Sequence, residues 1–169
     1  MVTTTVRRRS LLTGMAACVL VPGIVRAETV VDLTWADLLP EGEFALPPEL
    51  QDLIDHDGPS LQSRQPVSGD TRPDWNGQVV RLPGFIVPID YSGTGVTAFI
   101  LVPYVGACVH VPPPPANQLV LVTTERPYES SGLFEAVHVT GMFGTASTST
   151  ALADIGYALS ADEIRPYRS

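Results

Sequence analysis

The sequence predicts a mainly β chain, a small barrel preceded by a short helical strap, and three observations lead there. Past Asn76-Gly77, apolar residues recur in short runs of strand length separated by turn residues. A glycine sits inside the first of these runs, at Gly84, where a strand can bend or bulge. Helical periodicity is confined to short pieces near the N-terminal side and one near the end.

In chain order, Thr34-Trp35-Ala36-Asp37-Leu38-Leu39-Pro40 reads as one short helical turn stopped by proline. Pro47 to Ile54 opens on prolines and an acid, as a helix start does, and should end by Gly58. Residues 59–76 are polar, turn-rich and without period, a linker or an ordered strap. Strands are expected over Gln78–Asp90, Val96–Val105, Asn117–Thr124 and Glu135–Gly144, with Ser92-Gly93-Thr94-Gly95 as a turn. Ser160 to Ile164 begins like a capped helical turn before Pro166. Several short strands, little helix and the opening Gly77-x-Val-Val-x-Leu-x-Gly-Phe-x-Val87 fit an OB-like closed or partly open barrel, a fold that hosts many functions. The expected organisation is therefore a leader over 1–27, an extension over 28–76 and a barrel over 77–169.

The leader is read from Arg7-Arg8-Arg9-Ser10-Leu11-Leu12, the apolar run Thr13 to Val25, and Val25-Arg26-Ala27 as a small-residue cleavage site. The twin arginines fit export of a folded chain, with the general secretory route as the alternative. Cys18 lies inside the apolar run, so cleavage after Ala27 is favoured over lipidation. The whole chain has 10 basic and 18 acidic residues, a net charge of −8. The leader carries four arginines and no acids, so its loss leaves six basic against 18 acidic residues, or −12. Such a surface disfavours nucleic acid and anionic membranes and suits cations or a basic partner. No second apolar segment is long enough for a transmembrane span. The setting expected is periplasmic.

The chemistry is concentrated in Gly106-Ala107-Cys108-Val109-His110-Val111, followed by Pro112 to Pro115. Outside the leader Cys108 is the only cysteine, so it has no intrachain disulfide partner. On an extended chain Cys108 and His110 would share one face, with a stiff proline path behind them. His138 stands between Val137 and Val139 in the same way as His110 stands between Val109 and Val111. If the valines fill the barrel, Cys108, His110 and His138 face outward and could hold Zn2+, or copper, with a fourth position open. Other readings stand beside this one. A free cysteine is often a small buried hydrophobe, and a histidine between valines often a hydrogen-bonded sheet residue. Cys108 with His138 could also form a thiol nucleophile and base, although the prolines remove backbone donors. His56, between Asp55 and Asp57, reads as an exposed helix end. The Pro112 to Gln118 loop could dock a partner or be a stiff loop, and Trp35 and Trp75 read as core or lid residues.

Three blocks carry a resemblance: Thr34-Trp35-x-x-Leu-Leu-Pro40, Gly77-x-Val-Val-Arg-Leu-Pro-Gly-Phe-x-Val-Pro88, and Leu101-Val-Pro-Tyr-x-Gly-Ala-Cys-Val-His-Val-Pro-Pro-Pro-Pro-x-Asn-Gln118. From about Leu33 to Gly144 the chain resembles an exported bacterial domain-of-unknown-function family. The resemblance implies a periplasmic protein or lipoprotein encoded beside ABC transporters of the lipoprotein-release and macrolide-export type, in some operons under zinc control. It therefore implies a metal-linked accessory protein with the periplasmic part of an ABC transporter as partner, or a metal-free adaptor of that transporter. Cys108 and His110 match the family motif directly. His138 is placed by spacing and not by the motif.

Overall fold

The computed structural model describes residues 29–42, 65–66, 70–108 and 113–167. The expected helix from Pro47 and the residues His56 and His110 lie outside this set, as does the leader. Six strands carry the fold: β1 (Val31–Asp32), β2 (Gln78–Ser92), β3 (Gly95–Val102), β4 (Val120–Tyr128), β5 (Ala136–Ser149) and β6 (Asp154–Pro166). The sheet runs β1-β2-β3-β4-β6-β5, and β5 returns to pair with β2. Five strands, β2 to β6, thus close a barrel. Its pairs are antiparallel except β4 with β6, which is parallel. That order is the Greek-key arrangement of OB-type barrels.

Closure depends on β2 serving two partners. Its first half, Gln78 to Phe85, pairs with β5, and its second half, Phe85 to Ser92, pairs with β3. The change of partner falls at Phe85, next to Gly84. A Cβ at Gly84 would stand 2.7 Å from the Leu101 side chain and 2.9 Å from the Val102 carbonyl oxygen, so the close approach of β3 requires glycine.

Alternation along the strands divides the apolar residues into two clusters on opposite faces of the wall. Val80, Leu82, Ile86, Phe99, Leu101, Val120, Val122, Val137, Val139, Phe143, Tyr157 and Leu159 fill the barrel. Val87, Ile100, Val102, Leu119 and Ile155, with half-buried Phe85 and Leu121, form a second cluster outside it. β3 is covered on both faces, which is why its sequence reads as an unbroken Phe99-Ile100-Leu101-Val102 run.

The N-terminal strap joins this body. Thr34 donates from both its N–H and its hydroxyl to the Asp37 carboxylate, each at 2.7 Å, and a 3-10 turn follows over Trp35–Leu38. Leu33 and Leu38 enter the barrel core. Trp35 donates its Nε1–H to the Pro83 carbonyl at 2.8 Å. Tyr157, buried in the barrel, donates its hydroxyl proton to Leu38 O at 2.8 Å and accepts from the Arg72 N–H at 2.7 Å, so one side chain ties two strap segments to the core.

One expectation is corrected. Ser160 to Ile164 is not a helical turn; it is the middle of β6. Ser160 and Ala161 pair with β4, and Ser160, Ala161, Glu163 and Ile164 pair with β5, around a register shift at Asp162. Ladder bonds that close the barrel outweigh the local Ser-x-x-Glu capping signal, which is worth about 1 kcal/mol.

Candidate functional site

β3 ends at Val102, and of the residues that follow it Ala107 and Cys108 belong to the outer cluster. Gly106 (φ 94°) and Cys108 (φ 65°) both adopt left-handed backbone, so the chain does not run extended through the cysteine. Ala107 and Cys108 are fully buried among Val87, Ile100, Val102, Leu119, Ala153 and Ile155. Burial pushes the Cys108 thiol up to about 12. Tyr104 beside it is also pushed to about 12, by desolvation first and by the nearby thiol second. A thiol so placed stays protonated near neutral pH and is a poor nucleophile.

The prolines and the end of the Gly106 to Gln118 segment are bound by the chain itself. Pro113, Pro114, Asn117 and Gln118 are buried. Gln118 donates its side-chain N–H to Trp35 O at 3.0 Å. Gln65 donates to Pro114 O at 2.9 Å and to Asp154 O at 2.7 Å, and accepts from the Asp154 N–H at 2.8 Å. β6 passes directly beneath: a Cβ at Gly156 would stand 2.7 Å from Ala116 O. Of the Pro112 to Gln118 loop, read from sequence as a docking face or a stiff loop, Pro113, Pro114, Asn117 and Gln118 are buried, and Pro114 and Gln118 are hydrogen-bonded to the strap.

His138 lies elsewhere. Val137 and Val139 point into the barrel and His138 points out, as the alternation predicts. Its ring sits 4.8 Å from that of Tyr167. It lines an open groove of about 510 Å³ with Arg81, Thr140, Glu163, Arg165 and Pro166. None of these residues belongs to the Cys108 cluster, so the described structure does not bring Cys108 and His138 to one atom. Among the described residues, no group of three or more His, Cys, Asp or Glu side chains is arranged to hold a metal ion.

The groove residues other than His138 were not singled out by sequence. Arg81 does break the apolar run of β2 and Thr140 continues the outward alternation of β5, which is a usable signal. Their convergence depends on β6, which the sequence did not declare.

Residues 35–166 match a family described as protein of unknown function (DUF3299). The chain belongs to this family. A solved DUF3299 structure, the crystal structure of a family protein from Pseudomonas aeruginosa PAO1, shares 36% identity with a TM-score of 0.72. The match covers 83% of this chain and 98% of that one. Among curated proteins, none matches. The DUF3299 match takes in the Trp35 turn, the Gly106 to Gln118 segment and all five barrel strands.

Proposed function

We propose that the chain is an exported, periplasmic accessory protein, a non-catalytic adaptor that works with the periplasmic part of an ABC transporter. The observation that carries the adaptor half is the burial of Cys108 in an apolar cluster, with Pro114 and Gln118 spent on internal hydrogen bonds. Raising the thiol from its ordinary 9.0 to about 12 disfavours the thiolate by about 4 kcal/mol. That weighs against the thiol-enzyme alternative, which needs a ready thiolate and a base in reach. Export rests on the leader pattern and the transporter on the family resemblance.

A second reading keeps a metal. The Cys108-x-His110 spacing supports Zn2+, or copper, bound by Cys108 and His110 with His138 as third ligand. Coordination would have to overcome the cost of the buried thiolate, and His138 would have to come from the groove on the β5 face.

Metal analysis of the protein purified from the periplasm, together with capture of membrane partners, tests both. A metal-free protein that recovers a transporter component is the expected result. Stoichiometric zinc, lost in Cys108→Ser and His110→Ala, would replace the adaptor reading with the metal one. A metal-free protein that recovers no transporter component would overturn the adaptor reading.

A further inference from the structure

We infer that the groove between Arg81 and Arg165 is a binding site for a ligand that presents anionic oxygens, a carboxylate or a phosphate. The inference is independent of the adaptor and zinc readings. The sequence is acidic overall, at −8. Yet two of the four arginines among the described residues, and the one histidine there, line this single groove, against Glu163 as the only lining acid.

The strand register explains the gathering. Arg81, Thr140 and Glu163 lie side by side across β2, β5 and β6, and Pro83, His138 and Arg165 form the next row. Strands about 4.8 Å apart and a two-residue offset along them place the two arginine backbones roughly 12 Å apart. His138 and Thr140 lie between them and supply a ring nitrogen and a hydroxyl. The Tyr167 ring, 4.8 Å from that of His138, packs against the histidine.

Each guanidinium is held by an acid: Arg81 donates to Asp32 at 3.1 Å and Arg165 to Glu163 at 2.7 Å. The Arg81 and Arg165 side chains are 42% and 72% exposed. Exposed ion pairs of this kind contribute little net energy, so an incoming anion can exchange with either acid. Each guanidinium also carries five N–H donors, more than one carboxylate uses. The remote acids oppose an anion only weakly, because charges beyond about 8 Å are largely screened at physiological salt. Locally Asp32 and Glu163 balance Arg81 and Arg165, so the spare guanidinium N–H donors, and not a net positive charge, recognise the anion.

The test is an NMR titration of the 15N-labelled full chain at constant ionic strength with inorganic phosphate and, separately, with acetate. The expected result is saturable shifts at the Arg81, His138, Thr140 and Glu163 amides with at least one of the two. Saturation with phosphate alone or acetate alone identifies the anion. Arg81→Gln with Arg165→Gln should weaken binding at least about tenfold. Glu163→Gln should tighten it several-fold by freeing Arg165, a gain that a damaged fold would not give. Arg126→Gln, away from the groove, should leave it unchanged. The inference fails if neither anion saturates, if Arg126→Gln weakens binding as much as the groove variants, or if Glu163→Gln fails to tighten it.

Discussion

Replacing Cys108 by alanine and by serine separates a packing role from a ligand role. The thiol is fully buried among the side chains of Val87, Ile100, Val102, Leu119, Ala153 and Ile155. Cys108→Ala removes one buried apolar atom and leaves a small void, a loss of about 1–2 kcal/mol. Cys108→Ser keeps the shape but desolvates a hydroxyl in apolar surroundings, which costs about 1–3 kcal/mol beyond the lost sulfur contacts. Serine should therefore be the worse substitution, although polarity alone would rank it closer to cysteine. Against a total stability of about 5–15 kcal/mol, both variants should still fold. Urea denaturation reads the difference as a shift in midpoint at unchanged slope. If serine is within about 0.5 kcal/mol of wild type, the thiol is not packed as described. If both variants lose stability only when zinc is present, the cysteine is a ligand.

Tyr157→Phe removes a hydroxyl that serves Leu38 O and the Arg72 N–H; thermal unfolding should report a loss of about 1–3 kcal/mol, and no loss would mean the strap is not tied at this point. Gly156→Ala should destabilise by about 1–3 kcal/mol, because the new Cβ would crowd Ala116 O and the Thr71 side chain. Acid should weaken the fold: hydrogen bonds from Thr34 hold the Asp37 carboxyl below its ordinary value. At Glu135, partial burial pushes upward, but hydrogen bonds from Ser131, Ser130 and Tyr128 prevail and lower it. Carboxyls depressed in the fold stabilise above their unfolded values, near 4, and lose that contribution as pH falls through the folded ones. Alkali should weaken it too, since Cys108, Tyr104 and Tyr128 are raised to about 12, chiefly by desolvation. Acids raised in the fold stabilise fully below their unfolded values, about 9 to 10, and cease to as pH climbs toward 12. A flat denaturation midpoint from pH 9 to 12 would contradict this burial.

The barrel was legible where burial is regular. Val79 to Val87 and Phe99 to Val102 carry enough apolar side chains to name β2 and β3 outright, and Gly84 stands next to Phe85, where β2 changes partners. β6 was hidden because its core positions alternate with small residues, as in Gly156-Tyr157-Ala158-Leu159, and because Ser160 and Glu163 imitate a helix cap. β1 has only two residues and exists through its partner β2. The unusual Gly106 to Gln118 block was visible, but its direction was not. Cys108 needed a left-handed backbone and a second apolar cluster outside the barrel, and neither leaves a local signature. His138 was placed correctly as outward-facing, while the arginines that join it come from strands 50 or more residues apart in the chain or unforeseen.

The central claim is that Ala107 and Cys108 pack into the outer face of the barrel wall and expose no reactive thiol. Alkylation by iodoacetamide at pH 8, on a Cys18→Ser chain so that one thiol is read, tests it most directly. A thiol raised from 9.0 to about 12 has a thiolate fraction about a thousandfold lower than in the unfolded chain. The account predicts native alkylation slower than unfolded by about that factor, unaltered by a zinc chelator. Native alkylation as fast as in urea, or slow until the chelator is added, would contradict it.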